Sequence, residues 1–296
     1  MNAKHILHML SPSKHASPFD VNMALDAGFD SVTPYINVTL DDVVALVQDA
    51  MFSRPPQHAA RTGIFIGGKD AILALDMLDA AKAALLPPFE VSLFADPAGS
   101  FTTAAAMVAC AEKLLQGRGR GLSGLRVTVF GATGVVGFCS AVIAALEGAH
   151  VTLAGHEGAA RVGKSAAEMK KRFGIDTHPA DASTDALKEA VLAETEVAMC
   201  AGRAGVQILS ASQIEGAKNL LVAADVNAVP PAGIAGLGLM DNGAPLGNTR
   251  VQGLGPLAIG NVKYQTEAGL FRAMTQADKA QCYDFRDAFK LARSLA

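Results

Sequence analysis

The chain has 296 residues, half of them hydrophobic and 18% charged, with a net charge of −3 and a pI near 6.2. That length holds one large domain or two ordinary ones, and the apolar share supplies ample material for buried cores. The mildly acidic balance, with no basic stripe interleaved with aromatics, argues against a nucleic-acid partner, and no run of about 18 apolar residues is present to cross a membrane. The amino-terminal stretch Met1–His8 is not a signal peptide, because its apolar run is short and broken by histidine. Cys110, Cys139, Cys200 and Cys282 are scattered with no CxxC pair and read as buried thiols of a reducing cytoplasm. The seven histidines form neither an HxxxH nor an HExxH face, so no metal site is expected.

In chain order, Lys4 to Met9 reads as a first strand. Phe19 to Ala27 is helical by pattern, with Ser17-Pro18 as its start signal. Ser31 to Pro34 is a short second strand. Leu40 to Ala50 is an amphipathic helix with Val43, Val44, Leu46 and Val47 on its apolar face. Ser53 to His58 reads as a loop, Thr62 to Gly67 as a buried strand, and Asp70 to Leu86 as a helix stopped by Pro87-Pro88. Val91 to Ala95 is a further strand ending on Asp96, and Thr102 opens an alanine-rich helix to about Leu115. Gly117-Arg-Gly-Arg-Gly121 is the best linker candidate. Beyond it come strands at Arg126–Phe130, His150–Ala154, Val197–Ala201 and Leu220–Ala224. Helices are expected at Val135–Leu146, Arg161–Phe173, Gly260–Met274 and Asp284–Leu295. Regular β–α alternation excludes a bundle or a sandwich. The simplest architecture is two doubly wound α/β units with a cleft between them, the last helices packing back on the first.

The most informative segment is Arg126-Val-Thr-Val-Phe-Gly-Ala-Thr-Gly-Val-Val-Gly137. A buried strand runs into a glycine-rich turn and then a helix. Gly131 makes the tight turn. Gly134 has no Cβ and lets a pyrophosphate approach the backbone. Gly137 lets the helix pack on the strand. Thr133, Val135 and Val136 complete the turn and the first helical N–H groups, whose positive end faces the phosphates. A second strand follows about 20 residues beyond the first glycine, as a βαβ unit requires. This is a dinucleotide site, and it points to hydride chemistry.

An NAD enzyme usually ends the second strand on Asp or Glu to hold the ribose hydroxyls, whereas an NADP enzyme supplies cations there. Here Gly155 and His156 take that place, Glu157 comes slightly late, and Arg161 and Lys164 follow. Arg161 and Lys164 face either a 2′-phosphate or solvent. The residues do not choose between NAD and NADP, and dual use is the reading carried forward.

Three further constellations carry candidate chemistry. Asp96-Pro-Ala-Gly-Ser-Phe-Thr-Thr103 places a carboxylate at a strand end and hydroxyls at a helix start. This is a ligand-binding position in open sheets. Ser100 or Thr102 suffices to cap that helix, and Asp96 is not needed for the purpose. Lys263 and Gln265 sit near the start of the Gly260–Met274 helix, where the dipole opposes a lysine and hints at an anionic or electron-rich partner. Asp225 and Asn227 follow a strand and precede Pro230-Pro231, so they serve either the loop or a cofactor. No GxSxG elbow or P-loop occurs, which removes hydrolase and kinase readings, and there is no Tyr-x-x-x-Lys pair.

With these segments in view, the chain resembles the bacterial NAD(P)-dependent methylene-tetrahydromethanopterin dehydrogenases of methylotrophic one-carbon metabolism. The resemblance rests on Ser17–Asn22, Asp96–Thr103, Asp225–Ile234 and Leu257–Lys263, which span nearly the whole length. It is closer to the branch that uses both nucleotides, because Gly155-His156 stands where the NADP-only branch has Gly-Arg. The resemblance implies hydride transfer from methylene-tetrahydromethanopterin to NAD or NADP. It implies a Rossmann-type doubly wound nucleotide domain (117–263) inserted into an α/β pterin-binding catalytic domain (1–116, completed by 264–296). It also implies a cytoplasmic homo-oligomer, a trimer or a hexamer. On this reading Asp20, Asp96 and Lys263 are the catalytic candidates, and Ser100, Thr102, Thr103 and Gln265 line the pterin pocket. Gly131, Thr133, Gly134, Val135, Val136, Gly137, His156, Arg161, Asp225 and Asn227 hold the cofactor. The alternatives are a methylene-tetrahydrofolate dehydrogenase, a non-catalytic NADP-sensing module, and a quinate/shikimate-type dehydrogenase. The last needs a Lys–Asp pair for which only Lys69 and Asp96 offer themselves.

Overall fold

The computed structural model describes residues 3–296; Met1 and Asn2, part of the amino-terminal stretch read above, lie outside the described residues. The chain divides into two compact units, Met1–Thr102 with Tyr264–Leu291, and Thr103–Lys263 with Ala292–Ala296. The first opens with β1 (Ile6–Leu10), α1 (Pro18–Asp26), β2 (Ser31–Tyr35), α2 (Val43–Phe52), α3 (Pro56–Ala59), β3 (Thr62–Ile66), α4 (Ala71–Ala84) and β4 (Ser92–Ala95). Ser17 caps α1 by accepting the Asp20 N–H at 3.3 Å, with Pro18 at the first helical position. Asp70 caps α4 in the same way, accepting the Leu73 N–H at 2.9 Å. The expected helix at Leu40 starts as a 3-10 turn, Leu40–Asp42, before α2. The stretch read as a loop, Ser53 to His58, instead contains the first residues of α3. Pro56 opens that turn because a proline has no N–H to leave unsatisfied there.

The helix α5 (Ser100–Gln116) carries the chain across the division between the units, which falls after Thr102. The second unit continues with β5 (Arg126–Phe130), α6 (Val135–Leu146), β6 (His150–Gly155), α7 (Ala159–Phe173), β7 (His178–Asp181) and α8 (Asp185–Ala193). It is completed by β8 (Val197–Cys200), α9 (Ala211–Gly216), β9 (Val222–Asp225), β10 (Asn242–Pro245) and β11 (Gln252–Leu254). Its sheet runs β10-β11-β9-β8-β5-β6-β7. Every pairing is parallel except β10 with β11. The six parallel strands therefore follow the 3-2-1-4-5-6 order, and the winding reverses between β5 and β8. Val127 and Val129 of β5, Leu153 of β6 and Val197 of β8 are buried, as strands covered on both faces require.

The chain then returns through α10 (Pro256–Gln276), β12 (Cys282–Tyr283) and α11 (Phe285–Leu295). β12 completes the first sheet, β12-β4-β3-β1-β2, in which all pairings are parallel and the winding reverses between β1 and β3. Phe271 of α10 is fully buried, its ring 5.1 Å from that of Phe94, 5.3 Å from Phe65 and 6.2 Å from Phe29. Gly63 in β3 is matched to this helix, since a Cβ there would stand 2.7 Å from the Met274 methyl. The first core is thus closed by residues that lie after the second unit in the sequence.

Candidate functional site

In open α/β sheets, ligands bind beyond the carboxyl ends of the strands where the winding reverses. In the second unit that point is the Gly131–Gly134 turn after β5, facing the Ala201–Gly202 segment after β8. The three glycines hold three different constraints. Gly131 has φ +90°, and a Cβ on it would lie 2.4 Å from the Ala201 carbonyl oxygen. A Cβ on Gly137 would lie 2.4 Å from the Gly131 oxygen, so α6 can close on the turn only through a glycine. Gly134 is different: it is exposed, and the nearest protein atom to an added Cβ is the Gly131 oxygen at 3.5 Å. Nothing in the protein needs that position bare. Gly134 is also the N-cap of α6, and it brings no side chain to the free N–H groups of Val135, Val136 and Gly137. An uncapped helix start behind a bare, exposed glycine fits a pyrophosphate. Thr133 is exposed beside it, and Val135 and Val136 are half-buried.

One pocket is walled by Gly131–Thr133, by the Ala154–Gly158 end of β6, and by Arg161 and Val162 of α7. The turn here is tight. A Cβ on Gly155 would meet the Gly158 oxygen at 2.3 Å, and Gly158 itself has φ +91°. Three charged or titratable side chains point outward from it. Glu157 Oε2 accepts from Arg161 Nη1 at 2.5 Å, and Glu157 Oε1 lies 3.4 Å from His156 Nε2. The Arg161 guanidinium, with a smaller contribution from His156, holds the Glu157 carboxyl below the ordinary glutamate range. His156 and Arg161 are thus brought together at one pocket. Glu157, which comes slightly late in the sequence for a ribose carboxylate, is the residue that joins them. The signal was present in the Gly155-x-x-Gly158 spacing, which tightens the turn and brings residue 157 into the pocket.

Asp225 and Asn227 also lie at a carboxyl strand end, but both side chains are spent on their own loop. Asp225 is fully buried and accepts the N–H groups of Asn227 (3.0 Å) and Gly233 (2.7 Å). Burial raises its pKa, and these backbone donors oppose the rise. Asn227 accepts from Val229 N–H at 2.9 Å and Gly205 N–H at 3.3 Å, and donates to the Pro231 carbonyl at 2.9 Å. The pair shapes the Asp225–Gly233 loop and ties it to the segment after β8.

In the first unit the reversal lies between β1 and β3, so α1 begins at the crevice. Asp20 stands in its first turn and is 3% exposed. Asp96 follows β4. Contrary to expectation, Asp96 itself caps the helix that follows. Ala98 takes φ +53° in the Pro97–Gly99 turn and swings the chain back over the strand end. Asp96 Oδ1 then accepts the N–H groups of Phe101 (2.8 Å) and Thr102 (3.3 Å), while Oδ2 accepts the Thr102 hydroxyl at 2.6 Å. Asp96 and Thr102 are both 0% exposed, so the surface of this helix start is left to Ser100 and Thr103, which are half-buried. Lys263, contrary to expectation, does not stand at a helix start. α10 starts at Pro256, so Lys263 and Gln265 lie in its third turn, beyond the reach of the terminal N–H groups. Lys263 is half-buried and Gln265 exposed. No helix among the described residues is long and apolar enough to cross a membrane.

A parallel sheet wound 3-2-1-4-5-6, with a bare glycine turn and an uncapped helix after its first strand, defines a dinucleotide-binding protein of the dehydrogenase type. The fold is shared with shikimate 5-dehydrogenase of Listeria monocytogenes, solved with shikimate and NAD (TM-score 0.54, 12% identity, 99% of this chain and 96% of that one). Residues 18–98 match the model for the amino-terminal part of methylene-tetrahydromethanopterin dehydrogenase. The chain is 55% identical over 295 residues to the NAD(P)-dependent methylenetetrahydromethanopterin dehydrogenase of Methylorubrum extorquens, covering 99% of both chains. It is 31% identical over 294 residues to the bifunctional protein MdtA of the same organism, covering 99% of this chain and 100% of that one. The chain belongs to the methylene-tetrahydromethanopterin dehydrogenase family.

Proposed function

We propose that the protein oxidises methylene-tetrahydromethanopterin to methenyl-tetrahydromethanopterin with NAD+ or NADP+ as hydride acceptor. The observation that carries this reading is the 55% identity over 99% of both chains to a relative named for that reaction. The glycine turn, free of any protein constraint at Gly134, supports the nucleotide part independently. Bound NAD(P)+ supplies the nicotinamide ring that accepts the hydride.

The chemistry suits the side chains present. The hydride leaves a carbon between two nitrogens with both electrons of its C–H bond, and the cation left behind is delocalised over N–C–N. No proton is removed in that step, so no general base is required. The protein has to orient the rings and tolerate positive charge. Gly131, Thr133, Gly134 and the N–H groups of Val135, Val136 and Gly137 hold the pyrophosphate. His156 and Arg161 face the adenosine ribose, and the loop shaped by Asp225 and Asn227 borders the nucleotide. Asp20 is the carboxylate assigned to the developing charge or to the pterin amide edge. Lys263 positions the pterin through a carbonyl, a role compatible with a cationic product. Ser100, Thr103 and Gln265 complete the pterin contacts. Asp96 and Thr102 act as positioning residues that fix the first turn of α5. The protein works in the cytoplasm as a homo-oligomer, a trimer or a hexamer, a reading that rests on the family alone.

The test is a four-way initial-rate assay of methylene-tetrahydromethanopterin or methylene-tetrahydrofolate, each with NAD+ or NADP+. Turnover of the methanopterin substrate with both nucleotides is the expected result. Turnover of the folate alone moves the protein to the neighbouring activity, and nucleotide binding without turnover of either pterin removes the catalytic reading.

A further inference from the structure

A single site that takes both NAD and NADP has to accommodate either a 2′-hydroxyl or a 2′-phosphate on the ribose. We propose that Glu157 sets the balance between them, pairing with Arg161 and His156 when the ribose carries a 2′-hydroxyl and releasing them to a 2′-phosphate. The inference rests on the dinucleotide assignment above.

Three observations carry it. Glu157 touches both cationic candidates at once, Arg161 at 2.5 Å and His156 at 3.4 Å, through different oxygens. All three side chains line the same pocket at the carboxyl end of β6. All three are more than half exposed, at 56% for Glu157, 54% for Arg161 and 75% for His156, so their mutual hold is weak and reversible. The backbone beneath them is closely approached, since a Cβ on Gly155 would meet the Gly158 oxygen at 2.3 Å, whereas the three exposed side chains have room to rearrange.

The charge arithmetic then differs for the two nucleotides. With a 2′-hydroxyl, Glu157 accepts its hydrogen bond while keeping Arg161 as counter-ion, and the trio stays close to neutral. A 2′-phosphate is repelled by Glu157 but matches the planar fork of Arg161 and the ring N–H of His156. Arg161 exchanges one anionic partner for another, and the released Glu157 carboxylate, more than half exposed, is left to solvent at small cost. A site with cations and no carboxylate would favour NADP; one with the carboxylate alone would favour NAD.

The test is equilibrium binding of NADH and of NADPH to the intact protein, followed by nicotinamide fluorescence, for wild type, Glu157→Gln and Arg161→Gln. Glu157→Gln is expected to weaken NADH and tighten NADPH, each by roughly three- to five-fold, the range for exposed charged contacts. The ratio of the two dissociation constants then moves about ten-fold toward NADPH. Arg161→Gln is expected to weaken NADPH by a similar factor and leave NADH within about two-fold. An unchanged ratio in Glu157→Gln, with both nucleotides still bound, overturns this proposal and leaves the dinucleotide site standing. Wild-type protein that binds neither nucleotide overturns the dinucleotide reading and this proposal with it.

Discussion

Gly134 and Gly137 are separated by less than one helical turn, yet alanine at the two positions should fail in opposite ways. At Gly134 the backbone has φ −90° and ψ 165°, which alanine adopts freely, and the nearest protein atom to the new methyl is 3.5 Å away. Alanine is a somewhat poorer N-cap than glycine, but it restricts the unfolded chain. The two effects, each about 0.5–1 kcal/mol, nearly cancel. The methyl instead occupies the face through which a phosphate reaches the N–H groups of Val135 to Gly137. Losing one hydrogen bond to a charged group costs about 1.5–3 kcal/mol. NADH and NADPH should therefore each bind roughly ten- to a hundred-fold more weakly to Gly134→Ala. At Gly137 the methyl would stand 2.4 Å from the Gly131 oxygen, 2.7 Å from its carbonyl carbon and 2.9 Å from the Ala132 Cα. These are backbone atoms and cannot rotate away, so the helix must shift at about 1–3 kcal/mol. The measurement is thermal unfolding without nucleotide, paired with fluorescence titration of both reduced nucleotides. Gly134→Ala should keep its midpoint and lose affinity, whereas Gly137→Ala should lose roughly 3–10 °C. Wild-type affinity in Gly134→Ala would refute the placement of the phosphates on this turn.

Other outcomes follow from the same geometry. Thr102→Val removes the hydroxyl that donates to Asp96 at 2.6 Å and leaves a buried carboxylate one donor short. Urea unfolding should show a loss of about 2–3 kcal/mol. Asp225→Asn replaces a carboxylate that accepts from Asn227 and Gly233 with an amide that can accept through one atom only. It should cost about 1–3 kcal/mol and weaken nucleotide binding. Because burial raises the Asp225 pKa, the folded protein holds that proton more tightly than the unfolded chain does. The wild-type margin over Asp225→Asn should therefore be largest below the ordinary carboxylate pKa and shrink as pH rises through the raised value; thermal unfolding in a pH series measures it. Asp20→Asn and Lys263→Ala should each lower turnover about a hundred-fold while NADPH binding is unchanged. Normal turnover in either would remove that residue from the pterin site.

The elements legible in the sequence were those with a strong period or firm punctuation. β5, the glycine turn and α6 were readable because each glycine carries its own steric reason. α1 and α4 were readable because Ser17 and Asp70 are side-chain caps. What escaped was short or at a sheet edge. β7 (His178-Pro-Ala-Asp), β10 (Asn242-Gly-Ala-Pro) and the two-residue β12 have no alternating pattern, since none is buried on one full face. α8 and α9 fell in a stretch where no apolar period stood out. At the site, Asp96 was misjudged because its capping depends on a non-glycine residue, Ala98, taking a positive φ, which no local propensity announces. Lys263 was misplaced because Pro256 was not recognised as the start of α10. Glu157 was passed over because position was counted along the chain, whereas the Gly155–Gly158 turn folds it back beside His156.

Closing the first core with Phe271, Met274 and β12 has a consequence for how the protein is made. A growing chain emerges in order, so its first hundred residues leave the ribosome without the helix and strand that cover them. Residues 103–263 can form their own sheet first. At about 5–20 residues per second, the amino-terminal segment waits roughly ten to thirty seconds for its missing pieces. During that interval Phe65 and Phe94 lack the ring that later buries them. The sheet begun first is therefore the one completed last, and the interval before α10 emerges is when the nascent chain exposes that apolar face.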